Sequence, residues 1–446
     1  MAIRKRIHLL LGACTIVTIF LIILAALYKN VQTMKNIVEI KVDPTKTLGK
    51  FKDLRGVNCG PLSPRAWDKK ISLNLTDKYL DLDLRIIRFH DLYPFDELDH
   101  IFPNPNADPK NPESYNFAEL DKHITAALRV ADILIFRIGY DWHDPPKNNP
   151  HIPLGKLAEV VKHIVLHYTK GWANGYHYSN IWWEIWNEPD IERFWAGTPE
   201  EYFKLYETLV KAIKEVNPNA VVGGPTIAYN IEFLDKFLNY VKSHKLPLDF
   251  ISWHAYSTDP NKIAERANKV YNVMKKYGFD NIPSVLDEWN YWVERGPWDV
   301  FRGAKIASFQ IAVLILLQDS PVNIAVLYRG DAWNWGGMFY ASGEPGKAYY
   351  AWLALKRLLN TTRIAVTTNK EGLFIIAGSS NRRIFVLISN FADTDIKYII
   401  DVQGYKLLEV FAVDEHHDFE QLAIKGNPQY IKAPPYAVQL IILERK

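Results

Sequence analysis

Two carboxylates stand out by the company they keep. Glu188 closes the run Ile181-Trp-Trp-Glu-Ile-Trp-Asn-Glu188 and is followed by Pro189 and Asp190; Glu288 closes Ile282-Pro-Ser-Val-Leu-Asp-Glu288 and is followed by Trp289, Asn290, Tyr291 and Trp292. Each ends an apolar, β-prone stretch and sits among tryptophan and asparagine. That mixture suits stacking, hydrogen-bonding and hydrolysing a sugar ring. Hydrolysis with retention needs two carboxyl groups roughly 5 Å apart, one to attack the anomeric carbon and one to protonate the leaving oxygen. The ionised group raises its neighbour's pKa by like-charge repulsion, so the acid keeps its proton until the nucleophile is glycosylated.

Such a pair needs elements that bring distant residues together. Between Phe51 and Asn360 the chain alternates short apolar strands with helical stretches, the sequence form of a parallel α/β architecture. The strands are expected at Asp53–Asn58, Leu84–His90, Ile133–Tyr140, Ile181–Asn187, Ala220–Pro225, Phe250–Tyr256, Ser284–Glu288 and Ile324–Tyr328. Helices are expected at Phe117–Val130, Leu154–Tyr168, Pro199–Val216, Ile231–Ser243, Asn261–Tyr277 and Phe301–Gln318, and Thr198-Pro-Glu-Glu201 has the form of a capped helix start. Eight strands with helix-length connections predict an α/β fold, a (β/α)8 TIM barrel. Its reacting groups gather at the carboxyl ends of the strands, so Glu188 after the fourth strand and Glu288 after the seventh can face each other. A doubly wound open sheet is the competing architecture, but Gly56-Val-Asn-Cys-Gly60 is no phosphate-binding fingerprint. After Leu359 the pattern shortens to alternating runs separated by turn residues, which predicts a C-terminal β-sandwich over 361–446. The alternation from Asn36 to Asp43 predicts a strand, within 36–50, that joins this module, leaving 51–360 as the barrel.

Trp186-Asn-Glu-Pro189 after a fourth strand and Asp287-Glu-Trp289 after a seventh resemble the clan A glycoside hydrolases, family 39 most of all. That family contains β-xylosidases, α-L-iduronidases and exopolysaccharide endoglycosidases. The resemblance covers Phe51 to Lys446. It implies Glu188 as general acid/base, Glu288 as nucleophile, and Asn187 as the amide that binds a sugar 2-hydroxyl. Ile87-Arg-Phe-His-Asp91 looks like the second-strand motif, with His90 in the glycone site and Arg88 under the nucleophile. Ser252-Trp-His-Ala-Tyr256 resembles the sixth-strand segment, with Tyr256 bonded to the nucleophile and His254 lining the pocket. The eighth loop, Tyr328-Arg-Gly-Asp-Ala-Trp333, departs from the xylosidase pattern and leaves the sugar open. Asp331 and Trp333 in that loop are candidate substrate contacts. Trp333 and Trp289 are the candidate stacking platforms, whereas Trp253 reads as core.

The function expected is a retaining glycosidase, β-xylosidase-like or acting on a related polysaccharide. The alternatives are a transglycosylase with the same glutamates and a non-catalytic carbohydrate-binding envelope protein. The predicted partner is an oligo- or polysaccharide, and no metal or cofactor is called for. Asp414-Glu-His-His-Asp418 lacks the ligand spacing of a helical metal site and reads as a solvated loop. With 53 basic against 50 acidic residues the formal charge is only +3, which gives no field for binding nucleic acid.

Arg4, Lys5 and Arg6 precede an apolar run from Ile7 to Tyr28, long enough for the roughly 20 residues that cross a bilayer. Within 1–35 this predicts a transmembrane signal anchor with its basic flank in the cytoplasm and the catalytic domain outside, or a secreted protein if the segment is cleaved. Leu11-Gly-Ala-Cys14 has the look of a lipidation box but sits too early in the apolar run. Cys59 is the single cysteine beyond the span, so no internal disulfide forms there. Asn74-Leu-Thr76 and Asn360-Thr-Thr362 are glycosylation sequons compatible with export.

Overall fold

A computed structural model describes residues 37–65, 68–92, 94–140, 150, 152–424 and 430–446. The predicted span Ile7–Tyr28 lies outside the described residues, and among those described no helix is long and apolar enough to cross a membrane.

All eight barrel strands form. They are β1 (Gly56–Asn58), β2 (Leu84–Phe89), β3 (Ala131–Ile138), β4 (Ile181–Ile185), β5 (Val221–Ile227), β6 (Phe250–Ser257), β7 (Ser284–Tyr291) and β8 (Ile324–Leu327). Every neighbouring pair is parallel, and the ring closes through the pairing of β8 with β1. The helices that follow the strands are α1 (Thr76–Leu82), α2 (Ala118–Val130), α3 (Leu154–Lys170), α4 (Pro199–Val216), α5 (Ile231–Ser243), α6 (Pro260–Tyr277), α7 (Ala304–Leu317) and α8 (Lys347–Leu359). The cap at α4 is reciprocal: the Thr198 hydroxyl accepts from Glu201 N at 3.2 Å, and the Glu201 carboxylate accepts from Thr198 N at 2.7 Å. A hairpin, Leu62–Arg65 with Asp68–Asn74, enters the first connection.

Side chains alternate along a strand, and that period sorts the barrel interior into layers. Ile86, Ile135, Phe250, Val285 and Ile324 fill the amino-terminal half with one apolar cluster. Two positions further along, the same faces carry Arg88, Arg137, Ser252 and Asp287, all fully buried. The apolar layer closes the floor, and the polar layer above it is the chemistry-bearing one.

The C-terminal module comprises β9 (Thr362–Thr367), β10 (Leu373–Ser380), β11 (Arg383–Asn390), β12 (Ile396–Asp401), β13 (Tyr405–Val413), β14 (Asp418–Gln421), β15 (Ile431–Ala433) and β16 (Val438–Arg445). With the N-terminal strand Ile37–Lys50 they form a nine-stranded sheet in the order β14-β13-β16-β11-β10-β9-(37–50)-β12-β15. Ile396 and Ile431 at one end share a core with Val410 and Ile441 at the other, so the sheet folds over itself as a sandwich. The opposite face, with Ile376, Leu387, Leu440 and Ile442, joins the main core and packs on α7 and α8. Helix α7 is therefore covered on all sides, which explains its unbroken apolar run Ile311-Ala-Val-Leu-Ile-Leu-Leu317. The N-terminal strand pairs antiparallel with β9 and parallel with β12. It runs on past Asp43 to Lys50 through two register shifts.

Candidate active site

Strand β7 supplies two consecutive acids to the axis. Its register slips between Leu286 and Glu288 against β6, and between Leu286 and Trp289 against β8. This bulge turns Asp287 and Glu288 to the same side. Arg88, from β2, receives both: its Nε lies 3.2 Å from Asp287 Oδ2, and its Nη1 donates to Glu288 Oε1 at 2.7 Å. The same guanidinium donates to Glu184 Oε2 at 2.6 Å, Asn58 Oδ1 at 3.2 Å and Asn187 Oδ1 at 2.9 Å. Burial opposes its charge, but Glu184, Asp287 and Glu288 more than offset that cost and raise its pKa.

The buried acids divide into protonated and ionised partners. Burial pushes Glu184 up to about 8, with Arg88 pulling it down and Asp287 pushing it further up. Asp287 ends below its ordinary value, because Arg88 and His254 outweigh its own burial. Glu184 thus carries the proton and Asp287 the charge. Burial raises the pKa of Glu288, against the pull of His254 and Arg88. Tyr256 donates its hydroxyl to Glu288 Oε2 at 2.7 Å, so both Glu288 oxygens are fixed in direction.

Glu188 reaches the cleft through a sharply turned segment after β4. Trp186 (φ 73°) and Glu188 (φ 44°) occupy the left-handed region, as do Asp91 (φ 64°) after β2 and Thr226 (φ 59°) at the end of β5. Such conformations cost energy in non-glycine residues and gather at functional sites. Here the turn is held from both sides: Trp186 N donates to Ile138 O at 2.8 Å and Glu188 N to Thr226 O at 3.0 Å. Asp190 then accepts the backbone N–H groups of Ala228, Tyr229 and Asn230, tying the β4 loop to the entry of α5.

The surroundings push the two histidines in opposite directions. Burial lowers the pKa of His90, and Arg137 and Arg88 lower it further. Arg137 Nε donates to His90 Nδ1 at 3.2 Å, so the neutral ring carries its proton on Nε2, which lies 3.5 Å from Glu288 Oε1. For His254, burial is outweighed by Glu288 and Asp287, and its pKa rises well above the usual imidazole value. Its Nδ1 lies 2.7 Å from Glu188 Oε1 and 3.4 Å from Glu288 Oε2, and its Nε2 lies 3.7 Å from Asp287 Oδ1. The donor atoms of Glu188, His254 and Glu288 all lie within 4.8 Å of one another, a spacing a cation can also meet. Arg88 and Tyr256, however, already occupy both oxygens of Glu288. The trio fits proton transfer better than ion binding.

Above these groups opens a cleft of about 790 Å³, lined by His90, Asp91, Asn187, Glu188, Tyr256, Glu288, Tyr328 and Trp333. Asn187 accepts from Arg88 through Oδ1, which turns its NH2 end to the cleft. Of the predicted contacts, Arg88, His90, Asn187, His254 and Tyr256 are brought together around the two glutamates, and Trp333 contributes from the wall with Arg329 at 5.2 Å from its ring. Two others are not. Trp289, one residue past the bulge, faces outward, fully buried in the main core between strands and helices, so it offers no platform. Asp331 is fully buried behind the wall, accepting from Arg329 Nε at 2.9 Å and Nη2 at 2.7 Å, and it shapes the eighth loop instead of touching the cleft.

Several functional groups escaped the sequence. Glu184 and Asp287 form the buried charge balance; the period-two face shared by Trp182 and Glu184 was the available signal for the first. Trp292 (50% exposed), Tyr229 (66% exposed), Trp298 and Trp335 make the aromatic rim. Trp335 lies 5.6 Å from Tyr256 and 6.1 Å from Trp292.

An eight-stranded parallel barrel bearing a carboxylate pair at its carboxyl face, floored by an arginine and ringed by tryptophans, has the architecture of the barrel glycoside hydrolases. Residues 149–326 match the family model for glycosyl hydrolases family 39. A β-xylosidase of Geobacillus stearothermophilus is 26% identical over 266 residues, 50% of this chain and 51% of that protein. One from Caldicellulosiruptor saccharolyticus is 28% identical over 285 residues, 55% of this chain and 54% of that protein. The chain thus spans about half the length of the curated relatives it matches. Among solved structures, a glucosidase from Croceicoccus marinus superposes with a TM-score of 0.75 at 26% identity, covering 92% of this chain and 99% of that one. A monomeric β-xylosidase from Caulobacter crescentus shares the fold at a TM-score of 0.70 and 17% identity, over 91% and 99% of the two chains. The barrel segment that carries Glu188 and Glu288 is thus similar to glycosyl hydrolases family 39.

Proposed function

We propose that the protein is a retaining glycosidase that releases a neutral pyranose from a β-linked glycoside. The observation that carries this reading is the close approach of Glu188 and Glu288, whose oxygens fall within 4.8 Å. Retention needs that short separation, whereas inversion leaves room for a water between the groups. Glu288, oriented by Arg88 and Tyr256, attacks the anomeric carbon; Glu188 protonates the departing oxygen and then deprotonates the water that releases the sugar. The charged His254 beside Glu188 supports this exchange by stabilising the carboxylate left after proton donation.

Two sugars have support. Two curated relatives are β-xylosidases, and the structural relatives that cover more than nine-tenths of the chain include a glucosidase and a β-xylosidase. Aryl β-xylosides and β-glucosides are therefore the substrates to test. Glu288→Gln is expected to lower turnover by on the order of 10³-fold or more. Glu188→Ala is expected to slow poor leaving groups most and to be partly rescued by azide. Wild-type rates in both variants on a substrate the parent cleaves would overturn the assignment. The apolar run Ile7–Tyr28 behind Arg4, Lys5 and Arg6 supports placing the domain outside the cytoplasm on a membrane anchor, which protease shaving of intact cells tests.

A further inference from the structure

We propose that Asp91 is a specificity-determining residue: its free carboxylate oxygen, paired with the Nε2–H of His90, receives a hydroxyl of the glycone ring remote from the bond that is cut. The inference rests on the glycosidase reading of the cleft and adds to it a recognition site.

Asp91 ends the second-strand motif and lines the cleft, yet it is only 3% exposed. Its carboxylate is half used. Oδ2 accepts the Tyr328 hydroxyl, while Oδ1 is buried with no hydrogen-bond donor among the described residues. The nearest ion-pair partner of Oδ1 is His90 Nε2 at 3.5 Å, longer than a good hydrogen bond. A buried acceptor left unmatched is costly, and native structures keep one where a ligand completes it.

The backbone is arranged to keep Asp91 there. Its φ of 64° lies in the left-handed region, and its carbonyl accepts from Arg329 Nη2 at 3.1 Å. Arg329 is in turn clamped by Asp331, which gives that buried loop residue an indirect purpose. The Tyr328 hydroxyl fixes one oxygen, leaving the other to bind.

His90 completes the pair. Its Nδ1 is occupied by Arg137, so Nε2 carries the proton and can donate. Asp91 Oδ1 and Glu288 Oε1 each lie 3.5 Å from that nitrogen, and one pyranose can therefore meet both. With Glu288 at the anomeric carbon, Asp91 meets the 3- or 4-hydroxyl. A hydroxyl there gives its proton to Asp91 and accepts one from His90; a deoxy sugar leaves both groups unmatched, and such mismatches discriminate strongly.

The test is a cycle pairing wild type, Asp91→Asn and Asp91→Ala with nitrophenyl β-glycosides and their 3-deoxy and 4-deoxy analogues. It is read by kcat/KM and, in the Glu288→Gln background, by calorimetric binding. Deleting the relevant hydroxyl should weaken wild type by about 10- to 100-fold, and the Asp91 variants should show little further loss on that analogue. Losses that simply multiply for both analogues would overturn the proposal and leave the glycosidase reading intact. Wild type that binds with the coupled pattern but cleaves nothing would overturn the glycosidase reading and support the Asp91 site. Absence of both binding and cleavage across the panel would overturn both.

Discussion

Replacing Glu184 with glutamine should make the protein more stable, and increasingly so as the pH rises. Glu184 keeps its proton in the folded state up to about pH 8, whereas an unperturbed glutamate releases it near 4.5. Between those values the folded protein binds the extra proton, so this group's contribution to stability, complete below pH 4.5, is lost as the pH climbs to 8. Glutamine is the uncharged stand-in: its carbonyl can accept from Arg88, its NH2 can donate to Asp287, and it has no proton to lose. The advantage of the variant should therefore grow by about 1.4 kcal/mol per pH unit. It should reach on the order of 4 kcal/mol near pH 8 and level off above it. Asp287 titrates with a lowered pKa, below this window, and does not cancel the trend. Urea denaturation of both proteins at pH 5, 6.5, 8 and 9 measures the difference. Curves separated by a constant amount at every pH would show that Glu184 ionises alongside Arg88, and the charge balance described above would be refuted.

Tyr256→Phe removes the hydroxyl that orients Glu288 at 2.7 Å; kcat should fall about 10- to 100-fold, in line with loss of a charge-assisted hydrogen bond, and an unchanged kcat would remove Tyr256 from the mechanism. Trp289→Ala should destabilise the fold by about 3–5 kcal/mol with KM intact. Trp292→Ala should do the reverse, raising KM several-fold through lost stacking with stability within about 0.5 kcal/mol. Thermal melts and Michaelis curves on the pair distinguish the buried ring from the exposed one, and matching effects would contradict their placement.

The barrel was legible because each strand is an apolar run such as Ile133-Leu-Ile-Phe136, bounded by turn residues and spaced by amphipathic helices. The juxtaposition of Glu188 and Glu288 was legible for a related reason: strand order alone brings strand ends to one face. What failed was parity. The bulge in β7 adds a residue, so an alternation counted from Val285 puts Trp289 inward with Asp287, whereas the folded strand faces it outward. Asp331 misled because its partner Arg329 lies only two residues away, and a local clamp looks the same in sequence as two substrate contacts. The rim tryptophans Trp298 and Trp335 sit in connections whose paths no periodicity encodes. The edge strands β14 and β15 were too short and, in Asp418-Phe-Glu-Gln421, too polar to announce themselves.

The N-terminal strand has a consequence for biosynthesis. Residues 37–50 are among the first described residues to be made, yet their strand partners are 362–367 and 397–401. At roughly 5–20 residues per second, the ribosome must lay down the entire barrel before either partner exists. For on the order of tens of seconds a strand-forming segment has both edges unpaired. All eight barrel strands are made before residue 328, but the nine-stranded sheet cannot be completed until 438–445 have been added.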